Sequence, residues 1–293
     1  MRVFVTGATG FIGAAVVEDL TAAGHQVLGL ARSEASARAL GAAGAAVHRG
    51  DLENLESLKS GADAADGVIH LAFIHDFSKF AENSEIDRRA IVALGSALKG
   101  SNRPLLVTSG LGLLAPGRIA TEDDKPAPGF PRASEAAADA LAADGVNASV
   151  MRLPQVHDPL KQGLVTYAIA IYREKGVCAY VGDGSNRWPA AHVLDVARLY
   201  RMAVERAERG AKYHAVAEEG VPVRDIADAI GRRLKLPVKS IAPEEVQAFF
   251  GWLGMFAGLD GPASSAQTRK KLGWQPTGPG LIADLDRLQV PDR

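Results

Sequence analysis

The chain has 293 residues, 47% of them apolar, which is enough for a large hydrophobic core and a smaller companion lobe. Its 33 Lys and Arg nearly balance 34 Asp and Glu, which excludes a broad basic surface for nucleic acid or an anionic membrane. No apolar run approaches the roughly 18 residues that span a bilayer, and the single cysteine, Cys178, cannot form an internal disulfide. We therefore expect a cytoplasmic protein that binds a small molecule, neither nucleic acid nor membrane, and we leave a homodimer open.

The first half of the chain alternates short apolar runs with helical stretches. The predicted strands are RVFVTG from residue 2, QVLGLAR from 26, AAVHRGDL from 45, GVIHLAF from 67, PLLVTSG from 104 and ASVMRLP from 148. Strands that recur after helices indicate crossover units and a parallel sheet. Their richness in Val, Ile and Leu is typical of strands covered on both faces. The predicted fold is a doubly wound α/β sheet of the Rossmann type, with a smaller, mainly helical lobe.

The loop after the first strand carries glycines at every third position, Gly7, Gly10 and Gly13, and leads into a predicted helix over residues 11–23. Such a turn lets backbone N–H groups and the positive helix N-terminus face a pyrophosphate. A turn with close strand–helix packing would account for the same glycines without a ligand. The residues assigned to a cofactor here are Gly7, Thr9, Gly10, Phe11, Ile12 and Gly13.

The end of the second strand decides between the two nicotinamide cofactors. A NAD site would have an acidic residue there to accept hydrogen bonds from the ribose 2′-hydroxyl. Instead the sequence has Arg32 and Ser33, and a planar guanidinium suits a phosphate monoester. We therefore predict NADP(H), with no metal. The alternative is a solvated Arg32 with Glu34 on the ribose.

Five segments in order resemble the extended short-chain dehydrogenase/reductases, the sugar-nucleotide epimerase and dehydratase group. They are TGATGFIG at residues 6–13, GVIHLA at 67–72, RLPQVHDP at 152–159, VGDGSNRWPAAHVLDVARL at 181–199 and KKLGWQP at 270–276. The resemblance covers nearly the whole chain.

The resemblance implies further cofactor contacts. Asp51 stands where the family's acid reaches the adenine amino group, although it is equally suited to cap a helix that begins at Leu52. The backbone after the fourth strand is expected to run under the cofactor. The full set of these implied contacts is Asp51, Leu52, Leu71, Ala72, Phe73, Thr108, Leu153 and Pro154.

The catalytic pair of the family, Tyr-x-x-x-Lys, is missing. In PRASEAAADALAADG, Pro131 falls at the tyrosine position and Glu135 at the lysine position. The family's serine aligns with either Ser109 or Gly110. Thr108 and Ser109 offer hydroxyls at the carboxyl end of a parallel strand, where such sheets bind ligands, but they equally suit a capped strand end.

Other side chains could supply a proton. The candidates are His75, Asp76, His157, Asp158, Tyr167 and Tyr172. His157 takes the place of a non-catalytic family tyrosine and is expected to be structural or to line the substrate site, and the two tyrosines lie on an apolar helix typical of a core. The catalytic candidates are therefore Ser109, Thr108, Asp76, His75 and Tyr167.

The second lobe is expected to be discontinuous. We assign residues 1–154 and 185–208 to the nucleotide-binding domain, and 155–184 and 209–293 to the substrate lobe. Trp252 and Phe256 share a predicted helix face that Phe249 joins, which is either a buried helix or an apolar wall for a substrate. The predicted substrate-binding residues are His157, Trp188, Trp252 and Phe256.

These features predict an NADPH-dependent reductase of a small, largely apolar carbonyl or imine. A catalytically silent NADP(H) sensor is the alternative, favoured by the missing Tyr and Lys. Without a phenol to protonate an alkoxide, an iminium substrate is favoured over a matched ketone, because it becomes a neutral amine on reduction.

Overall fold

The computed structural model describes residues 1–112, 114–126 and 132–289, so Pro131 lies outside the described residues. Its central sheet has seven described strands, all parallel. In spatial order they are β10 (Lys212–His214), β6 (Ala148–Leu153), β5 (Leu105–Gly110), β4 (Gly67–His70), β1 (Arg2–Thr6), β2 (Gln26–Ala31) and β3 (Ala46–Arg49). The predicted doubly wound sheet is confirmed.

Helices cover both faces of this sheet. On one face lie α1 (Phe11–Ala22), α2 (Glu34–Ala42) and α7 (Val193–Arg206), and on the other α3 (Leu55–Asp63), α4 (Phe80–Leu98) and α5 (Ser134–Ala143). Because β1 is covered on both sides, Val3, Phe4 and Val5 are fully buried. The first helix follows the prediction closely, ending one residue early before Gly24, which has the positive φ of a helix terminus.

A second lobe is built around two small sheets. One contains β7 (Gln155–His157), β9 (Arg187–His192) and β11 (Glu218–Pro222), and the other pairs β8 (Cys178–Val181) with β12 (Val238–Ile241). Its helices are α6 (Leu164–Lys175), α8 (Val223–Leu234), α9 (Val246–Phe250), α10 (Gly254–Ala257) and α12 (Leu281–Asp286). The sequence predicted a mainly helical lobe without these strands, because strands of three to six residues are too short to show a clear period.

The two parts of the molecule are interlocked along the chain. Strand β10, from a stretch that the sequence assigned to the second lobe, is the edge strand of the central sheet. After α11 (Ala266–Leu272), the fully buried Trp274 joins the core beneath α1 and α7, and its Nε1 donates to the carbonyl of Asp195 at 3.0 Å. Among the described helices, none is long and apolar enough to cross a membrane.

Candidate functional site

The turn between β1 and α1 requires glycine at two positions. Gly7 has φ +67°, and a Cβ there would lie 2.8 Å from the amide nitrogen of Ala72. A Cβ on Gly13 would lie 2.0 Å from the Gly7 carbonyl oxygen. Both glycines therefore allow close backbone packing, which is the structural role that the sequence left open.

Gly10 differs from the other two because it faces outward. It caps α1 through its backbone, its N–H donates to the Gly7 carbonyl at 2.9 Å, and a Cβ would meet only that carbonyl oxygen, at 3.2 Å. Gly10 and Thr9 are exposed, and the first turn of α1 has no acidic residue. This open helix N-terminus fits the pyrophosphate of a dinucleotide.

At the end of β2, Arg32 and Ser33 are exposed. Ser33 caps α2, with its hydroxyl oxygen accepting from the Ser36 N–H at 3.1 Å. Glu34, the alternative ribose ligand, instead forms an ion pair with Arg49 at 2.7 Å. The end of β2 thus presents an exposed cation and the hydroxyls of Ser33 and Ser36, while the carboxylate of Glu34 is paired with Arg49.

Asp51 follows β3 but does not cap a helix beginning at Leu52, as one interpretation of the sequence expected. It accepts from the N–H groups of Glu53 and Asn54 at 2.9 and 3.0 Å, and α3 begins only at Leu55, with Asn54 as its cap. The Asp51 carboxylate therefore stabilises the turn that precedes α3. Asp51 and Leu52 are both half-buried at this edge of the sheet.

The backbone after β4 lies directly against the glycine loop. The N–H of Leu71 donates to the Thr6 carbonyl at 3.3 Å, and that of Ala72 donates to the Thr6 hydroxyl at 3.2 Å. Phe73 follows at the same edge, half-buried like Leu71 and Ala72. The loops after β1 and β4 thus meet at the carboxyl edge of the sheet, where such folds bind their ligands.

The hydroxyls at the end of β5 have different environments. Thr108 Oγ1 lies 2.8 Å from the hydroxyl of Tyr200 on α7, and both groups are buried. Ser109 is buried and, as the next residue of the strand, points to the opposite face, where α4 and α5 pack. Leu153, at the end of neighbouring β6, accepts from the N–H of Leu111, with Pro154 half-buried beside it.

Glu135, at the family's lysine position, is buried in an ion pair. Its carboxylate receives Arg152 Nε at 2.9 Å and Nη2 at 2.6 Å, and Arg152 also contacts His214. All three side chains are at least 95% buried. The position therefore holds a carboxylate committed to the core, and no cation reaches the site from it.

A cation that the sequence did not single out lies nearby. Arg132 stacks its guanidinium over the Phe73 ring at 4.4 Å, donates from Nε to Ser134 Oγ at 3.1 Å, and directs Nη2 toward the Thr108 carbonyl at 3.4 Å. In the sequence, Arg132 and Glu135 are three residues apart, the spacing of an ordinary ion pair on a helix surface, which gives no reason to expect a functional role. Because α5 begins at Ser134, Arg132 lies outside the helix and forms no such pair.

Aromatic rings from both lobes meet beside Arg132. The aromatic cluster comprises Phe73, His75, Phe77, Phe80, Tyr167, Trp252 and Phe256. Phe77, from the loop after β4, stacks on Trp252 with ring centroids 4.5 Å apart, and Tyr167 meets Trp252 edge-on at 5.1 Å. Three of the predicted site residues, Tyr167, Trp252 and Phe256, are thus brought together with His75.

Phe249 does not join this cluster, contrary to the predicted helix face. The segment breaks at Gly251, whose φ is +56°, so Phe249 turns toward Phe250 and Tyr172 in the core of the second lobe. Tyr172 is buried there too and donates to the Ala179 carbonyl at 2.6 Å, as expected of a structural residue. Trp188 is also buried in this core.

His157 is fully buried in the second lobe. Its Nδ1 lies 2.7 Å from the carboxylate of Asp284 on α12, and its ring meets that of His192 at 5.9 Å. Burial lowers the pKa of His157 despite that carboxylate. The structural interpretation of His157 therefore accounts for its contacts, while Asp158 closes the turn that follows by accepting from the N–H groups of Leu160 and Lys161.

His75 and Asp76 are both engaged in the loop after β4. Asp76 accepts from the hydroxyl and N–H of Ser78 at 2.6 and 3.1 Å, and these hydrogen bonds lower the pKa of its carboxyl. The pKa of His75 is also lowered, by desolvation among the packed rings and by the charges of Arg132 and Lys161, although the residue is partly exposed. Asp76 is therefore ionised and His75 neutral near pH 7.

Comparisons with known proteins find one matching family model and several similar proteins. A family model described as NAD(P)H-binding matches residues 7–174. An uncharacterized protein of Schizosaccharomyces pombe is 46% identical over 289 residues, covering 97% of this chain and 98% of that protein. The 4-hydroxy-2-methyl-3-oxo-4-farnesyl-3,4-dihydroquinoline-1-oxide ketoreductase of Stigmatella aurantiaca is 28% identical over 238 residues, covering 76% and 70%.

Among solved structures, the dTDP-glucose 4,6-dehydratase DesIV of Streptomyces venezuelae, determined with NAD and TYD bound, has the same fold. The TM-score is 0.77 at 19% identity, covering 98% of this chain and 95% of that one. The glycine loop, the parallel sheet and the matched family model all indicate a protein that binds NAD(P)H. The chain belongs to the family of NAD(P)H-binding proteins that this model describes.

Proposed function

We propose that the protein is an NADPH-dependent oxidoreductase that reduces a small, largely apolar carbonyl or imine compound. The observation that carries this proposal is the aromatic cluster, which lies at the carboxyl edge of the sheet next to the loop after β4. Phe73 in that cluster follows Ala72, which packs against Gly7. An apolar wall beside a dinucleotide loop is the arrangement that a hydride acceptor with little polar surface needs. The resemblance to a ketoreductase supports the same reaction class.

The preference for NADP(H) rests on the end of β2. Arg32 is exposed there, Ser33 and Ser36 contribute hydroxyls, and Glu34 is paired with Arg49. A guanidinium and two hydroxyl donors match the oxygens of a 2′-phosphate, whereas a 2′-hydroxyl would need a free carboxylate. When bound, NADPH supplies the hydride.

The catalytic roles follow from what surrounds each candidate. Thr108 is engaged with Tyr200 and Asp76 with Ser78, so they are better suited to hold the site's shape than to transfer a proton. Neutral His75 and the phenol of Tyr167 lie in the aromatic cluster and can donate hydrogen bonds to a substrate, and Ser109 is the second-to-last residue of β5. The tyrosine and lysine of the family motif are replaced by Pro131 and Glu135, and this absence favours an iminium substrate.

The alternative is a catalytically silent NADP(H) sensor. The specific observation in its favour is the commitment of Glu135 to Arg152, because it leaves the family's proton-handling position filled by a core ion pair. A sensor would bind NADPH and reduce nothing.

One experiment distinguishes the two functions. NADPH oxidation is followed by absorbance with a panel of ketones, aldehydes and cyclic imines, while NADPH affinity is measured by calorimetry. The Gly10→Val variant is the control for the cofactor site. Turnover by the wild type that is lost in Gly10→Val supports the reductase. Tight NADPH binding with no turnover on any member of the panel supports the sensor.

A further inference from the structure

Arg132 is the half-buried cation of the site, and its environment is unusual. One face of its guanidinium covers the Phe73 ring, Nε is held by Ser134, and the Thr108 carbonyl lies 3.4 Å from Nη2. Ser134 is itself fixed, since its hydroxyl donates to the buried carboxylate of Asp87 at 2.6 Å. The planar fork is therefore held in one orientation at the carboxyl ends of β4 and β5.

The charge of Arg132 has no direct carboxylate partner. Within the described ranges, no Asp or Glu oxygen lies within 4.0 Å of its guanidinium, whereas buried Arg152 is neutralised by Glu135 at 2.6 Å. Desolvation lowers the pKa of Arg132. The carboxylate of Asp87 opposes that shift through a charge interaction beyond ion-pair distance. A cation partly removed from water without a counter-ion is costly, and an anionic ligand would offset that cost.

A second cation, Lys161, lies near His75. The ammonium group of Lys161 is 5.8 Å from the centre of the Phe11 ring, at the start of α1. Arg132 and Lys161 both act on His75, whose protonated form they disfavour. The one carboxylate of this loop, Asp76, is turned to Ser78. The space around His75 is therefore electropositive as well as aromatic.

We propose that Arg132 binds a carboxylate of the substrate, so that the substrate is an aromatic or similarly apolar carboxylic acid with its reducible group nearby. This inference rests on the proposed function, since it names the substrate class of that site. Among the described residues, Nη1 of Arg132 has no hydrogen-bond partner and Nη2 has only the long contact with Thr108, and the two nitrogens of such an edge can bind a carboxylate through two parallel hydrogen bonds. The aromatic cluster would take the apolar body of the same molecule.

The cofactor does not need Arg132 for charge balance. Its phosphates are expected at the α1 N-terminus and at Arg32, and the nicotinamide ribose carries no charge. A carboxylate would also remove the repulsion between Arg132 and an iminium carbon, because a substrate with both groups carries its own counter-charge. The carboxylate and the favoured imine chemistry are thus compatible.

The test compares two ligands of the same shape, hydrocinnamate and hydrocinnamide, neither of which is reducible by hydride. Binding to the full chain is measured by calorimetry and by quenching of tryptophan fluorescence, with and without saturating NADP⁺. The wild type should bind the carboxylate at least about tenfold more tightly than the amide, since a charged hydrogen bond is worth roughly 1.5–3 kcal/mol. Arg132→Gln should abolish this preference, and Arg132→Lys should retain part of it.

The matched control is Arg209→Gln, an exposed arginine beside Gly145 at the opposite edge of the sheet, which should keep the full preference. Circular dichroism establishes that each variant is folded, and Arg132→Lys carries the comparison if Arg132→Gln is not. The proposal is overturned if the wild type binds the carboxylate no better than the amide, if the preference survives in Arg132→Gln, or if Arg132→Gln weakens NADP⁺ instead. Because no turnover is involved, failure of the reductase assay counts against the proposed function alone.

Discussion

Glu135 and Arg152 form a bidentate ion pair across α5 and β6, with distances of 2.9 and 2.6 Å, in a region from which water is excluded. The family lysine would stand where this carboxylate stands. The departure from the motif is therefore compensated by a second residue, and restoring the lysine alone would bring two cations together in the core.

Glu135→Lys should consequently destabilise the protein and restore no catalytic function. We expect a loss of about 3–5 kcal/mol in the free energy of unfolding, because Arg152 would be left buried beside a like charge. Urea denaturation measures it. Glu85→Gln, which breaks an exposed pair with Arg88, is the control and should leave stability unchanged. A stable, more active Glu135→Lys would show that the position is still catalytic.

The glycine loop predicts opposite outcomes for two neighbouring glycines. Gly10→Val should fold but lose NADPH binding, because its side chain would project into the space expected for the pyrophosphate. Gly13→Ala should instead disrupt folding, since its Cβ would lie 2.0 Å from the Gly7 carbonyl oxygen. Thermal unfolding and calorimetry separate the two effects. Normal NADPH affinity in Gly10→Val would leave the loop with a packing role only.

Arg32→Ala should weaken NADPH far more than NADH. Loss of a charged hydrogen bond to the 2′-phosphate costs about 1.5–3 kcal/mol, a roughly tenfold to hundredfold increase in Kd. Arg209→Ala removes a distant exposed arginine and should change neither affinity. An equal loss for both cofactors would contradict the assignment of Arg32 to the phosphate.

An iminium substrate should be reduced faster than its ketone analogue. Hydride addition to a ketone creates an alkoxide that needs a proton, whereas a protonated imine becomes a neutral amine. The comparison uses a cyclic imine and the ketone of the same shape, with NADPH, across a range of pH. A ketone rate equal to or above the imine rate would point to a proton donor such as His75 or Tyr167.

Stability should fall as the pH drops below about 6.5, the ordinary pKa of histidine, in part through His157. Burial holds the folded-state pKa of His157 below that value, although Asp284 and Glu218 oppose the shift and His192 adds to it. Between the two values only the unfolded chain takes up the proton, so each such histidine contributes a slope of at most about 1.4 kcal/mol per pH unit. In urea titrations at several pH values, His157→Gln should show a smaller slope, and an unchanged slope would exclude His157 as a source.

The sequence predicted the parts of the site that depend on local geometry. The glycine loop and the run of parallel strands are set by φ preferences and by apolar periodicity over a few residues. Arg132 was missed because its significance depends on which carboxylates lie near it, and Glu135 turns to Arg152 instead. The sequence grouped Phe249 with Trp252 because their spacing looked like one continuous helix. The helix in fact breaks at Gly251, so the two side chains do not share a face.

Trp274 has a consequence for how the protein is made. It belongs to the core under α1 and α7, yet it follows almost the whole second lobe in the chain. A ribosome releases the amino-terminal sheet first, but that half lacks its edge strand β10 until residue 214 has been made and this indole until residue 274 has been made. The nucleotide-binding half of the nascent chain therefore leaves part of its hydrophobic core exposed until these residues are made. A chain truncated after residue 208 would expose the same surface to chaperones and proteases.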